Sequence, residues 1–173
     1  TLNTFTHILE GYKVADKMKA HGAGGSTFSD WWAYKYEVKD AIPQNASLMN
    51  QMGITVAVNS DDAEMGRRLN QEAAKGIKYG GMSEEDALNM ITINPAKLLH
   101  IDHIVGSIKQ GKDADVVLWS ENPLSIYAKV EKTFIDGKLY FDITTQQQRE
   151  THLMKERNQI IGDMIAFKNA GGK

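Results

Sequence analysis

The chain has 173 residues, 42% of them hydrophobic, with 20 Lys and Arg against 22 Asp and Glu for a net charge of -2, the composition of an ordinary globular chain of one or two domains. Acidic and basic side chains are interspersed, without the basic stripe that a phosphate backbone requires, so the composition points away from nucleic acid and towards a small-molecule partner. No apolar stretch approaches the roughly 20 residues that span a bilayer, so no membrane partner is implied. Zero cysteine removes disulfides, thiolate catalysis and Cys-zinc sites together. The first residue is Thr1 rather than Met, and the chain is read as a processed or truncated product.

In chain order, Thr4 to Leu9 (TFTHIL) reads as a short strand, followed by a helix with Val14 and Met18 four apart and a stop at His21-Gly22. Ala23 to Phe28 (AGGSTF) reads as a second strand that opens into a loop holding Ser29, Asp30, Trp31, Trp32, Tyr34 and Tyr36. Ala46 to Met52 supplies one or two helical turns, and Ile54 to Val58 (ITVAV) is a β-branched strand ending at Asn59, Ser60, Asp61 and Asp62. Ala63 to Tyr79 then reads as one long helix closed by Gly80-Gly81, with a stripe of Met65, Leu69, Ala73 and Ile77. Strands alternating with helices imply an α/β fold with a parallel sheet.

Carboxyl ends of parallel strands are where ligands and catalytic groups collect, because each strand fixes the first residues of the loop that follows. Asp61 sits at such an end. One of the two adjacent carboxylates has an ordinary structural use as a helix cap, and Asp62 is the better placed for it, which leaves Asp61 free. Asn59 and Ser60 are placed either to orient Asp61 by hydrogen bonds or for ordinary turn bonding. Trp31 and Trp32 are placed to wall a pocket, although adjacent tryptophans are as often split between core and surface. Asn45-Ala46-Ser47 matches a glycosylation acceptor, a three-residue pattern that recurs by chance.

Further on, Ser83 with Asp86 has the form of a capping box, and Asn94-Pro95 that of a cap followed by a first-turn proline. From Ile104 the pattern changes to strands without helices, at Val105, Ile108, Val116 to Trp119, Val130 to Ile135 and Lys138 to Phe141, with a hairpin turn at Asp136-Gly137. Thr145 to about Lys168 reads as a long surface helix with a frayed end over Ala170 to Lys173.

The run NPAKLLHIDHIVGSIKQGKDADVVLWSENPL from Asn94, followed by VEKTFIDGKLYFD from Val130, resembles the C-terminal part of the metal-dependent amidohydrolase superfamily, in its imidazolonepropionase-like and prolidase-like branch. Its most specific piece is Gly106-Ser107-Ile108 with Gly111 to Val117, an architectural motif in which Lys112 and Asp113 serve turn geometry. The resemblance implies the last part of a (β/α)8 TIM-like barrel over 1–103, part of a composite β-sandwich over 104–143, and a C-terminal helix and tail over 144–173. TFTHIL, AGGSTF and ITVAV would be strands six, seven and eight. Asp61 then matches the eighth-strand aspartate that binds metal and takes a proton from water. His7 matches the sixth-strand histidine that binds metal or lies beside it.

The implied activity is hydrolysis of carbon-nitrogen bonds, such as amides and cyclic amides, through a metal-activated water. The implied cofactor is a divalent metal, zinc first, held in the full-length enzyme and weakly or not at all here, because two ligands fall short of the usual three or four. A complete barrel takes roughly 250 residues. The implied partner is therefore the missing N-terminal portion or another copy of the chain, which by itself would be inactive. The alternative is a noncatalytic assembly or binding fragment that uses the barrel remnant and sandwich as an interaction surface.

Overall fold

The structure is a computed structural model that describes residues 3–171. Residues up to Asp113, together with Glu121–Ala128, form one compact unit; Ala114–Ser120 and the chain from Lys129 onward form another.

The first unit is built on a parallel sheet of β1 (Thr4–Phe5), β2 (Gly24–Thr27) and β3 (Val56–Val58), in that order. Its helices are α1 (Ala15–His21), α2 (Asn45–Gln51), α3 (Ala63–Gly66), α4 (Leu69–Gly80), α5 (Glu84–Asn89) and α6 (Ile93–Leu98). Gly25 pairs with Val56, Ser26 with Ala57 and Thr27 with Val58. Alternation along the strands therefore sends Val56 and Val58 to one face, and Ser26 and Ala57 to the other. The first face is the core side, where Val56 and Val58 join Met18, Met49, Ala73, Met82 and Met90. Flexible thioethers fill the irregular gaps between short helices and the sheet. On the opposite face α6 comes close: a Cβ on Gly24 would collide with Leu98 and stand 2.9 Å from the carbonyl oxygen of Thr55.

Three elements differ from the reading of the sequence. The TFTHIL strand ends at Phe5, because His7 adopts φ 53° and turns the chain out of the sheet. The long helix expected over Ala63 to Tyr79 breaks at Arg67 and Arg68, just after Gly66, a residue that weakens a helix interior. Val105 and Ile108 lie in irregular chain. Lys112 Nζ donates to the carbonyl oxygens of Asp102 and Val105 and to Ser107 Oγ, satisfying this segment from a side chain instead of a neighbouring strand. Gly106 has φ 86°, and a Cβ there would stand 2.8 Å from that of Ala96, so the chain passes α6 where only glycine fits.

The second unit is an antiparallel sheet of β4 (Val116–Trp119), β5 (Val130–Ile135) and β6 (Lys138–Asp142), in that order, followed by α7 (Ile143–Asn169). Asp136 and Gly137 both have positive φ, 50° and 72°, as a tight two-residue hairpin requires. The expected frayed end over Ala170 to Lys173 lies partly outside the described residues. Among those described, no helix is long and apolar enough to cross a membrane.

Candidate functional site

The carboxyl ends of the three parallel strands open at one edge of the sheet, and the residues singled out from the sequence lie along it. His7 follows β1 in a tight turn and is exposed. Its position is fixed by its neighbour: the Ile8 amide donates to the Ser26 carbonyl at 3.0 Å, and the Ile8 carbonyl accepts from Asn45 Nδ2 at 2.8 Å. Asn45 is 2% exposed, and its amide also reaches Thr27 Oγ1 at 3.1 Å and accepts from the Tyr12 amide at 2.9 Å. One side chain thus ties the turn after β1 to the end of β2. A fully bonded, buried amide is also closed to glycosylation in the folded chain.

Asp61 follows β3 and is exposed. Asp62, not Asp61, caps the next helix: its Oδ1 accepts from the amides of Glu64 at 2.9 Å and Met65 at 3.0 Å. The Ser60 hydroxyl donates to the Asp62 carbonyl at 2.6 Å, so Ser60 serves the turn. Asn59 turns elsewhere. Both of its side-chain polar atoms are buried without a partner, as is Thr4 Oγ1. These two residues line a cavity of about 300 Å³ with Thr6, Ser26, Ala57, Pro95, Leu98 and Leu99, on the sheet face away from the methionine core.

His7 and Asp61 are thus on the two outer strands, at the same end of the sheet, with β2 between them. An imidazole and a carboxylate suit a divalent metal such as zinc. Among the described residues no group of three or more His, Cys, Asp or Glu side chains converges on one point. Trp31 and Trp32 separate. Trp31 joins a row of rings that starts at His7: His7 to Phe28 is 5.3 Å between centroids, Phe28 to Trp31 is 5.8 Å, and Trp31 to Tyr34 is 5.4 Å. Trp32 packs edge-on against Tyr79 of α4 at 5.4 Å. Tyr34 was named from the sequence only as a member of this loop and Phe28 only as the end of the strand before it; their spacing of three residues on either side of Trp31 was the available signal.

The first unit is thus a parallel α/β sheet with His7 and Asp61 beyond the carboxyl ends of its outer strands. The Amidohydrolase family profile matches residues 4–140, and the chain belongs to that family. It is 34% identical to amidohydrolase tasK of Hapsidospora irregularis over 92% of this chain and 17% of that protein. It is 33% identical to the imidazolonepropionase of Thermoplasma volcanium over 84% of this chain and 37% of that one. The crystal structure of an amidohydrolase from Thermotoga maritima MSB8 superposes with a TM-score of 0.76 at 30% identity, covering 80% of this chain and 37% of the other. The chain therefore spans well under half the length of these relatives.

Proposed function

We propose that the chain is the C-terminal segment of a metal-dependent hydrolase acting on carbon-nitrogen bonds, with His7 and Asp61 as metal ligands and Asp61 also as the proton-transfer group. The last strands of a (β/α)8 barrel over 1–103 supply this edge, and the antiparallel sheet is part of a composite β-sandwich over 104–143. His7 and Asp61 stand beyond the carboxyl ends of parallel strands, both exposed, and this feature supports the reading most directly.

A divalent metal held there, zinc first, would lower the pKa of bound water to about 7 and polarise a carbonyl. His7 holds its ring at the site because Ile8 is fixed on both sides by Ser26 and Asn45. The Asp61 carboxylate is within reach of solvent, so it can accept a proton from the attacking water and return it to the departing nitrogen. Trp31 borders the substrate, and Ser60 braces the turn that carries Asp61.

The site is completed by further structure, either an N-terminal portion of the same protein or a second copy of the chain. The unpartnered Asn59 and Thr4 side chains on the open sheet face support this, because buried polar groups are normally bonded. The noncatalytic alternative, in which this same face serves only for assembly, has that one observation in its favour.

Metal analysis of the protein expressed from its complete reading frame, with amide and cyclic-amide hydrolysis assays on Asp61→Asn and His7→Ala, separates the two. The catalytic reading expects stoichiometric divalent metal and a loss of about 10²–10⁴ in turnover for Asp61→Asn. Metal-free protein, or unchanged turnover in Asp61→Asn, would establish the assembly reading instead.

A further inference from the structure

α4 carries a buried carboxylate that the proposed chemistry does not use. Glu72 is 3% exposed, and a charge so far from water is costly unless it is paired and hydrogen-bonded. Among the described residues, the side-chain partner of its carboxylate beyond its own helix is Ser29, in the loop that follows β2. Ser29 Oγ lies 2.8 Å from both Oε2 and the carbonyl oxygen of Glu72. Lys75, one turn further along α4, places Nζ 2.7 Å from Glu72 Oε1 and 2.5 Å from Asp30 Oδ2. Trp32 continues the attachment against Tyr79 of the same helix. Three of the four loop residues from Ser29 to Trp32, all but Trp31, are therefore fastened to one helix face.

The skipped residue is the one whose ring packs between Phe28 and Tyr34. Trp31 has φ 70° and Ala33 has φ 51°, left-handed conformations that cost about 1–3 kcal/mol for a residue with a side chain and persist only where the surroundings enforce them. Ser29, Asp30 and Trp32, held by α4, bracket the Trp31 backbone, and the Trp31 ring lies in the row that runs from His7 through Phe28 to Tyr34. Strain of this kind gathers at ligand-binding loops, and adjoining ring faces and edges suit a flat apolar group.

We propose that the Glu72–Lys75 pair of α4 is a positioning device for the Phe28–Trp31–Tyr34 row, and that this row is a subsite for a flat apolar group of the substrate next to the bond that is cleaved. The substrate part of this inference rests on the reading of His7 as a metal ligand. The positioning part does not.

The three tryptophans make the test direct. With 5-fluorotryptophan incorporated, Trp31 and Trp32 report on the loop by fluorine NMR, and Trp119, in β4 of the other unit, is the internal control. In Lys75→Met the resonances of Trp31 and Trp32 move and broaden while that of Trp119 stays in place; Lys75→Arg restores the wild-type spectrum because the ion pairs can re-form. Ser29→Ala, which removes only a hydroxyl, gives the same signature at smaller amplitude and covers the case in which Lys75→Met does not fold. Phenylacetamide at millimolar concentration shifts Trp31 in the wild-type chain, acetamide does not, and Lys75→Met weakens the phenylacetamide response about tenfold. Unchanged Trp31 and Trp32 resonances in both Lys75→Met and Ser29→Ala overturn the positioning role. Equal responses to the two amides overturn the ligand class. Neither readout needs metal or turnover, so a failed hydrolase reading, seen with Asp61→Asn, is distinguishable from a failure here.

Discussion

Asn94 Nδ2 donates to the carbonyl oxygen of Val56 at 2.9 Å, and the amide of Val58 donates to the Met90 carbonyl at 3.0 Å. Both bonds lie on the side of β3 that faces away from β2, so the junction of α5 and α6 covers an edge that would otherwise template strand addition. The outer side of β1 carries no such bonds among the described residues. Replacing Asn94 by Ala leaves a buried carbonyl unpaired and should lower stability by about 1–3 kcal/mol. Urea denaturation checks the loss, and an unchanged midpoint would mean that the bond contributes nothing.

Asn45 is the second buried amide on which the site depends. In Asn45→Ala the Ile8 carbonyl and the Tyr12 amide lose their partner, at a cost of about 1–3 kcal/mol. The change should also loosen the turn that carries His7. Hydrogen exchange at Ile8 and Tyr12 should quicken more than at Lys19, in the helix that follows; uniform acceleration across the chain would point to global destabilisation only.

The adjacent aspartates should separate cleanly. Asp62→Ala removes the cap of α3 and should cost about 1 kcal/mol. Asp61→Asn removes a charge from an exposed position outside the cap and should stay within about 0.5 kcal/mol of wild type. Thermal unfolding of the two variants side by side is the check, and a larger loss for Asp61→Asn would mean that Asp61 supports the fold.

Features written in neighbouring residues were legible in the sequence. Asp136-Gly137 announced its hairpin, Ser83 its cap, and the order Asp61-Asp62 which of the two caps the next helix. Ser83 Oγ does accept from the Asp86 amide at 3.0 Å. Asn94 was misread for the opposite reason. A polar residue before proline has the local form of a cap, but α6 begins at Ile93, and the Asn94 side chain serves Val56, 38 positions away. Glu72 was invisible in the same sense. Glu and Lys three apart on a helix have the form of a surface pair, and only the fold brings Ser29 to them, 43 residues distant. The aromatic row likewise appears only when the β1 turn and the loop after β2 are folded side by side.

Asp142 joins β6 to α7 and gives the second unit a titratable junction. Its carboxyl is held below the usual carboxylate range, chiefly because Oδ1 accepts from the Thr144 amide at 2.9 Å, with Lys132 Nζ a further 3.4 Å contact. A depressed folded-state value means that the unfolded chain takes up the proton first, near pH 4. The stabilisation is therefore complete above about pH 4 and fades as the pH falls towards the lower folded-state value. Below that window the first turn of α7 loses its charged cap and should fray, while the β4–β6 hairpins, held by backbone bonds, remain. The Thr144 amide shift, followed by NMR from neutral pH downward, should report this transition. In Asp142→Asn the side-chain oxygen still caps but cannot titrate, so that transition should disappear with the helix start intact. A Thr144 titration that persists in Asp142→Asn would assign it to another group and remove the cap as its cause.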